Sequence, residues 1–300
     1  MSTQSTAAAS HPELHRTSLF NLKGRVALVT GGGSGIGLMI TQALAVNGAK
    51  VYIVGRSADK LSTVASTYNR DIEGEIIPLP GDVTSKSSIS HLVADLSSRE
   101  KALDILVNNA GVSSSALSTK SKGSAEDFKS QLFDAPETTL DDWTSAYATN
   151  VASIFLTTTA FLPLLAKSTA SHPSWSGTVV NITSISGLVK SAQHHFSYNA
   201  SKAAAVHLTR MLAAEIAENE IKVRVNSIAP GVFPSEMTAG ESDEYQKSGL
   251  EKEKYEGKIA AGRPGRDVDM AQAVLMMVAC QYLSGQVVAV DGGYTLSAGL

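Results

Sequence analysis

Short apolar runs alternate with longer amphipathic segments along most of this 300-residue chain. The apolar runs are rich in β-branched residues, as is typical of strands that are covered on both faces. They are Val26–Thr30, Val51–Val54, Ile76–Leu79, Ile105–Val107, Thr178–Ile182, Val223–Ile228 and Val287–Val290. The helical periodicity between them predicts helices at Ile36–Val46, Ser57–Tyr68, Ser87–Ser97, Leu140–Lys167, Tyr198–Glu218 and Asp267–Leu283. This alternation predicts an α/β fold, with a doubly wound, seven-stranded, mainly parallel sheet and helices on both faces.

Two polar stretches interrupt the alternation. Residues 113–137 are rich in serine, and we interpret them as a surface insertion rather than part of a functional site. Residues 231–265 include a highly charged segment after a predicted strand. Open α/β sheets bind ligands at the carboxyl ends of their strands, so a substrate lid is favoured here over a solvated excursion. Residues 1–20 lack the pattern of a secretory signal and are expected to be a flexible tail before one catalytic domain at 21–300.

The composition is that of an ordinary globular protein, with 43% hydrophobic residues, 18% charged residues and a net charge of −3. No basic run suggests nucleic acid as a partner, and no apolar window is long enough for a membrane span. We therefore expect a cytoplasmic protein. Cys280 is the only cysteine, which excludes intramolecular disulfides and thiolate-rich metal sites. Its apolar neighbours predict that it is buried. Pro163 is expected to kink or shorten its helix, because proline removes an N–H and crowds the carbonyl of Thr159.

A glycine-rich turn, TGGGSGIG at residues 30–37, joins the first predicted strand to a helix. Pyrophosphate needs backbone N–H donors at a helix N-terminus, and Cβ atoms would block its approach. This arrangement favours a dinucleotide site over a merely flexible turn. The predicted contacts are Gly31, Gly33, Ser34, Gly35, Ile36 and Gly37.

Further candidate cofactor contacts follow the next three strands. Arg56 and Ser57 end the second strand; arginine there favours a 2′-phosphate and hence NADP over NAD, the alternative being an exposed arginine at a helix start. Asp82, followed by Val83, could contact adenine or N-cap the next helix. The loop after the fourth strand offers small residues to the cofactor, although its asparagines could simply be turn formers. It consists of Asn108, Asn109, Ala110 and Gly111.

Tyr198 and Lys202 lie four residues apart and so share one helix face. A free tyrosine has a pKa near 10, and a nearby ammonium or a cationic nicotinamide would lower it. The phenol could then act as an acid in carbonyl reduction and a base in alcohol oxidation. Ser184, at the end of the fifth strand, could hold the substrate oxygen, and Ser186 is a competing candidate.

In this order, the motifs resemble those of the short-chain dehydrogenase/reductase family over residues 21–300, which implies a Rossmann fold. The matching pieces are TGGGSGIG (30–37), NNAG (108–111), Asn150 in YATNV, Ser184 in NITS, YNASK (198–202), PG (230–231) and VDGG (290–293). Residues 228–238 (IAPGVFPSEMT) are similar to a subgroup that includes the 3-oxoacyl reductase of rhamnolipid synthesis.

The resemblance implies a role for each matched residue. Tyr198 would be the acid/base, and Lys202 would lower its pKa and bind the nicotinamide ribose. Ser184 would orient the carbonyl, and Asn150 would hold a water that links Lys202 to solvent. The nicotinamide would be flanked by Pro230, Gly231 and Val232, with Thr238 near its carboxamide.

The predicted function is that of an NADP(H)-dependent carbonyl reductase or alcohol dehydrogenase with a small-molecule substrate. Many NADP-preferring members carry a basic residue where Ser34 stands, so an NAD-dependent dehydrogenase is one alternative; a silent NADP-binding regulator is another. Phe196, Phe233 and Met237 could line an apolar pocket or belong to the core. His194 and His195 are expected to be structural, and no catalytic metal is predicted. The family implies a homodimer or homotetramer that forms through helices 140–167 and 198–218.

Overall fold

The computed structural model describes residues 11–119 and 122–299. Its strands are β1 (Val26–Thr30), β2 (Lys50–Gly55), β3 (Glu75–Pro80), β4 (Ile105–Asn108), β5 (Gly177–Ile182), β6 (Val223–Pro230) and β7 (Val287–Val290). Within the described residues they form one seven-stranded sheet in the order β3-β2-β1-β4-β5-β6-β7. Every neighbouring pair is parallel. The predicted Rossmann-type sheet is confirmed, and it is parallel throughout.

Helices cover both faces of this sheet. They are α1 (Arg16–Leu19), α2 (Gly35–Val46), α3 (Ala58–Tyr68), α4 (Lys86–Arg99), α5 (Ala125–Leu132), α6 (Leu140–Tyr147), α7 (Ser153–Ser171), α8 (Phe196–Glu218), α9 (Glu236–Ala239), α10 (Asp267–Ala279) and α11 (Tyr294–Ala298). Short 3₁₀ turns lie at Pro12–Leu14, Ile185–Gly187 and Lys252–Tyr255, and a π turn lies at Ala148–Ala152. Helices α2, α3 and α10 pack on one face, and α4, α7 and α8 pack on the other.

The strands are apolar on both sides because both sides are covered. In β1, the side chains of Ala27 and Val29 belong to one core cluster and Leu28 belongs to the other. Only an uninterrupted apolar run satisfies two cores at once. Strand β3 contains Pro78 and Pro80, which have no backbone N–H to donate. An inner strand must donate hydrogen bonds to neighbours on both sides, whereas β3 is at the edge and has only one neighbour.

The long helix predicted at 140–167 is divided by the π turn, and α7 continues through Pro163 to Ser171. The expectation that Pro163 would shorten this helix is therefore wrong. Phe161, Leu164 and Leu165 are buried in the core around it, and this packing offsets the lost hydrogen bond.

The helical stretch Leu140–Ser171 has the length and apolar composition of a candidate membrane span. In this fold it is a core helix, because α7 packs against β4, β5 and α4.

The helix predicted at 267–283 ends at Ala279, and Cys280 is exposed rather than buried. The guanidinium of Arg224 donates to the carbonyl oxygens of Met277 (3.0 Å) and Val278 (2.9 Å). A longer helix would need these same carbonyls for its own hydrogen bonds. The backbone of Cys280 is consequently extended, and its side chain leaves the helical phase that would bury it.

The N-terminal tail predicted at residues 1–20 lies partly outside the described residues. Its described part forms the short turns at Pro12–Leu14 and Arg16–Leu19, which contain no buried residue. The flexible tail and the single catalytic domain remain predictions.

Candidate active site

The glycine turn contains two residues of left-handed backbone conformation and one close approach between backbone segments. Gly31 and Gly35 have φ values of +64° and +52°, in the left-handed region that favours glycine. A Cβ atom on Gly37 would lie 2.0 Å from the carbonyl oxygen of Gly31. Gly37 therefore allows α2 to begin directly above the end of β1, with its N-terminus facing the turn.

The turn is braced from the neighbouring strand by Asn109. Its side-chain amide donates to the carbonyl oxygens of Thr30 (2.9 Å) and Gly31 (3.1 Å). In return, the hydroxyl of Thr30 accepts from the backbone N–H groups of Asn109 (2.9 Å) and Ala110 (3.0 Å). The side chain of Asn109 is thus bonded to the protein backbone, and its predicted role as a cofactor contact remains a prediction.

A cavity of about 360 Å³ opens at the carboxyl ends of β1 to β4, next to this turn. It is lined by the predicted residues Gly31, Gly33, Ser34, Arg56, Ser57, Asp82, Val83, Ala110 and Gly111. The cavity is also lined by residues that the sequence motifs do not indicate, among them Lys60, Thr84, Val112, Thr149 and Glu236. Of the described residues, the other predicted cofactor contacts are not in its wall: Gly35, Ile36, Gly37, Asn109, Tyr198, Lys202, Pro230, Gly231, Val232 and Thr238.

The part of the cavity at the ends of β2 and β3 contains charged side chains and the start of helix α3. Ser57 N-caps α3 by accepting from the backbone N–H of Lys60 (3.4 Å). Asp82 accepts from the backbone N–H and the hydroxyl of Thr84, which holds the pKa of its carboxyl below the usual value. The N-cap of α4 is Ser85, so the alternative that Asp82 caps this helix is wrong.

These features fit a dinucleotide. A pyrophosphate requires a helix N-terminus that its oxygens can approach closely. The turn provides one at the start of α2, where glycines leave the backbone uncovered by side chains. Arg56 provides a cation at the cavity wall. Gly31, Gly33 and Ser34 would hold the phosphates, and Arg56 and Ser57 would face the adenosine ribose.

A second group of residues, which we name the relay, consists of Ser184, Tyr198, Lys202 and Asn150. The Nζ atom of Lys202 is buried, donates to the carbonyl oxygen of Ile182 (3.0 Å) and lies 5.7 Å from the centre of the Tyr198 ring. A hydrogen bond links the side chains of Ser184 and Tyr198. The fold therefore brings the end of β5 and the first turns of α8 together around one phenol.

Burial is the largest influence on the pKa values of Tyr198 and Lys202. It raises the pKa of the Tyr198 phenol above its usual value, and the hydrogen bond with Ser184 opposes this rise. Burial also lowers the pKa of the Lys202 ammonium to about 8. The sequence predicted a lowered pKa for Tyr198; here it is raised, because desolvation of the phenolate outweighs the one favourable hydrogen bond.

Asn150 lies in the π turn and fixes the loop after β4. Its Oδ1 accepts from the backbone N–H of Val112 (3.0 Å), and its Nδ2 donates to the carbonyl oxygen of Val112 and to the hydroxyl of Ser201, both at 3.0 Å. A Cβ atom on Gly111 would lie 3.2 Å from this Oδ1 and 3.5 Å from the Nζ of Lys202. Asn150 thus connects the cavity wall at Gly111–Val112 to α8, and the predicted water remains a prediction.

The loop between Ser184 and α8 is tied down at several points. The hydroxyl of Ser186 donates to Gln193 (2.8 Å), whose amide donates to the hydroxyl of Tyr294 (2.8 Å). Gln193 and His194 both have positive φ values, of 50° and 67°. A non-glycine pair in this region is strained and is held by its surroundings. Ser186 is thereby occupied, while Ser184 points to the phenol.

The start of the 113–137 insertion contacts this loop. The Nδ1 of His195 is 3.2 Å from the carbonyl oxygen of Ser114, and the backbone N–H of Leu117 donates to the carbonyl oxygen of His194 (2.8 Å). The ring of His195 and the backbone of His194 thus contact the insertion, and the structural role of both histidines remains a prediction. The later part of the insertion forms α5 on the surface, with no buried residue.

The lid region, residues 231–265, begins against the glycine turn. The hydroxyl of Thr238 donates to the carbonyl oxygen of Phe233 (2.8 Å) and helps to cap α9. Phe233 is buried in the core, while Met237 is largely exposed. A Cβ atom on Gly35 would lie 2.8 Å from that of Ser235, so this end of the lid region rests on the turn itself.

Comparison with known proteins identifies the family. A family model described as short chain dehydrogenase matches residues 25–246. The chain belongs to this family. It is 36% identical to the short-chain dehydrogenase/reductase PhomF of Diaporthe leptostromiformis, over 94% of this chain and 95% of that protein. It is also 36% identical to the rhamnolipids biosynthesis 3-oxoacyl-(acyl-carrier-protein) reductase of Pseudomonas aeruginosa, over 92% of this chain and 98% of that protein.

A solved structure, the Pseudomonas aeruginosa RhlG/NADP active-site complex, matches with a TM-score of 0.73 and 34% identity. The match covers 92% of this chain and 98% of that one. As a short-chain dehydrogenase/reductase, the protein is an oxidoreductase that acts on carbonyl or alcohol groups with a nicotinamide nucleotide. In the part of the chain that the structure describes, no cluster of three His, Cys, Asp or Glu residues could hold a metal ion. The absence of a catalytic metal remains a prediction.

Proposed function

We propose that this short-chain dehydrogenase/reductase interconverts a ketone and a secondary alcohol with NADP(H), through the relay at Tyr198. The observation that carries the proposal is the position of Ser184 and Lys202 next to the phenol of Tyr198. This group lies beside a cavity that is lined by the glycine turn and Arg56. When bound, the nicotinamide would supply or accept the hydride.

The residues of the relay would manage the proton. Since the pKa of Tyr198 is raised, its phenol carries a proton at neutral pH, as a general acid for carbonyl reduction must. Ser184 would hold the carbonyl oxygen through its hydroxyl. Lys202 would contact the nicotinamide ribose and, as a cation, stabilise the phenolate after proton transfer. Asn150 would keep the loop at Gly111–Val112 against these groups.

The preference for NADP rests on Arg56. Arg56 lines the cavity at the end of β2, where an acidic residue would instead bind an unphosphorylated ribose. The likeness to a complex that contains NADP supports the same choice. Replacing Arg56 with Asp should shift the preference toward NADH; an unchanged preference for NADPH would contradict this argument.

Other parts of the proposal depend on the family resemblance. Residues 231–265 would form the substrate lid, and the chain would assemble as a homodimer or homotetramer in the cytoplasm. Exposed apolar side chains on α6, α7 and α8, namely Leu140, Trp143, Phe155 and Met211, support such assembly. The likeness to a 3-oxoacyl reductase supports β-ketoesters as one substrate class to test.

The deciding experiment follows the consumption of NADPH and NADH with ketones, β-ketoesters, diketones, quinones and sugars. Wild type is compared with Tyr198→Phe and with Tyr282→Phe, whose side chain is fully exposed. We expect Tyr198→Phe to lose at least about 100-fold in turnover while binding NADPH normally, and Tyr282→Phe to match wild type. Full turnover by Tyr198→Phe would overturn the relay. Tight NADPH binding without turnover on any carbonyl, or on alcohols in reverse, would favour a silent regulator.

A further inference from the structure

Lys60 is the unexpected cation of the nucleotide cavity. It lies in the first turn of α3, four residues after Arg56, and lines the same cavity. A Cβ atom on Gly33 would lie 3.9 Å from the Cβ of Lys60, so this side chain leaves the helix beside the glycine turn. Its Nζ is 2.5 Å from the Oε1 of Glu236.

Glu236 joins the lid region to the glycine turn. Besides Lys60, its carboxylate accepts hydrogen bonds from the hydroxyls of Ser242 (2.9 Å) and Ser34. Lys60 and Ser34 thus share one acceptor, which places the ammonium on the Ser34 side of the cavity. A lysine from α3 therefore brings positive charge to the place where Ser34 itself supplies none.

The charges in the cavity suit a phosphate better than they suit this carboxylate. A phosphate monoester carries about −1.5 to −2 charge at neutral pH and three acceptor oxygens. Arg56 alone leaves part of that charge unpaired. The Lys60–Glu236 pair is close but open to solvent, with side chains 44% and 37% exposed, and such pairs contribute little to stability. A phosphate can therefore displace Glu236 from Lys60.

We propose that Lys60 is a specificity residue for the 2′-phosphate of NADP and that Glu236 competes with that phosphate for its ammonium. Binding of a 2′-phosphorylated nucleotide would move Lys60 onto the phosphate, so α9 would lose its ion pair with α3. The lid region would then contact the glycine turn through Ser235 and through the bond between Glu236 and Ser34, without the ion pair to Lys60. This inference rests on the proposed NADP site, and the test below separates the two.

The test uses two probes that differ only by the 2′-phosphate, 2′,5′-ADP and 5′-AMP. Titration calorimetry measures their Kd values for wild type, Lys60→Gln, Glu236→Gln and the double variant. We expect Lys60→Gln to weaken 2′,5′-ADP about tenfold and to leave 5′-AMP unchanged, as loss of a charge-assisted hydrogen bond predicts. Glu236→Gln should tighten 2′,5′-ADP several-fold, and this gain should vanish in the double variant.

Matched controls report effects of charge alone. Lys101→Gln and Asp59→Asn change charge at exposed positions outside the cavity wall and should leave both Kd values within about twofold. Equal effects of Lys60→Gln on both probes, or no gain from Glu236→Gln, would overturn the inference. If Arg56→Gln abolished the preference for 2′,5′-ADP while the Lys60 and Glu236 variants did not alter it, the proposed function would stand without this inference. If wild type did not prefer 2′,5′-ADP, both proposals would fall.

Discussion

Gly37 approaches the carbonyl oxygen of Gly31 so closely that a Cβ atom would lie 2.0 Å from it. The obstacle is backbone, which cannot rotate away as a side chain could. The start of α2 and the end of β1 are therefore joined at a distance that only glycine allows, and the N–H groups proposed to bind phosphate lie at that junction.

Replacing Gly37 with Ala should consequently open the turn. We expect nucleotide affinity to fall at least about tenfold and stability to fall by about 1–3 kcal/mol, because overpacking against backbone forces a shift. Gly249→Ala is the matched control, since its Cβ would meet no atom within 4 Å. Isothermal titration with NADPH and thermal unfolding measure the two effects. Unchanged affinity in Gly37→Ala would show that nucleotide binding tolerates a larger distance between residue 37 and the carbonyl oxygen of Gly31.

The buried ammonium of Lys202 should destabilise the folded protein. Its pKa is lowered from 10.5 to about 8 by burial, which corresponds to about 3 kcal/mol. Lys202→Met removes this cost but leaves the carbonyl of Ile182 without its donor, at about 1 kcal/mol. We expect the inactive variant to be more stable than wild type below pH 8.

The pH dependence of that difference has a definite sign. Between pH 8 and 10.5 the unfolded chain binds more protons at Lys202 than the folded chain does. The stability of wild type therefore rises through this window relative to Lys202→Met. Urea unfolding at pH 7 and pH 10 measures the difference, and a gap that stays constant would contradict the buried ammonium.

Arg224, which lies in β6, stabilises the C-terminal end of α10. Its buried guanidinium donates to the hydroxyl of Ser176 and to three carbonyl oxygens, those of Met277, Val278 and Leu283. Arg224→Met should cost about 3 kcal/mol, because these acceptors lose their donors inside the protein. Arg224→Lys should rescue little, since one ammonium cannot reproduce the planar fork.

Chemical unfolding of these variants measures the loss, with the exposed Arg210→Met as the control. Destabilisation of Arg224→Met no larger than that of Arg210→Met would mean that α10 ends without help from Arg224.

Asn150 should act on catalysis by positioning the loop after β4. Asn150→Ala removes all three hydrogen bonds of its amide, two of them with the backbone of Val112. Ser201→Ala leaves those two in place and removes the third, together with the bond from the Ser201 hydroxyl to the carbonyl oxygen of Tyr198. We expect Asn150→Ala to lower kcat by about ten- to 100-fold and Ser201→Ala to lower it only slightly. Steady-state kinetics and NADPH affinity are the readouts. Equal losses in both variants would contradict the positioning of this loop as the cause.

Much of this site could be predicted because its demands are local. The glycines at 31, 35 and 37 follow from backbone geometry, and the pairing of Tyr198 with Lys202 follows from helical spacing. The burial of both strand faces likewise appears in the sequence as uninterrupted apolar runs.

Lys60 and Glu236 could not be predicted in the same way, because they are 176 residues apart and meet only through the tertiary fold. Lys60 did have one local signal, its spacing of four residues from Arg56. The exposure of Cys280 was missed for a similar reason, since the guanidinium that ends its helix comes from β6. The raised pKa of Tyr198 depends on burial, which the motif alone does not report.

The π turn at Ala148–Ala152 has a consequence for the register of the helix around it. One additional residue in a turn rotates everything beyond it by about 100°, so the apolar stripes of α6 and α7 follow two separate phases. Deleting a single residue there would restore an unbroken α-helix and turn Phe161 and Leu165 away from the sheet. Between Tyr147 and Ser153, the number of residues is therefore a stricter requirement than the identity of most of them.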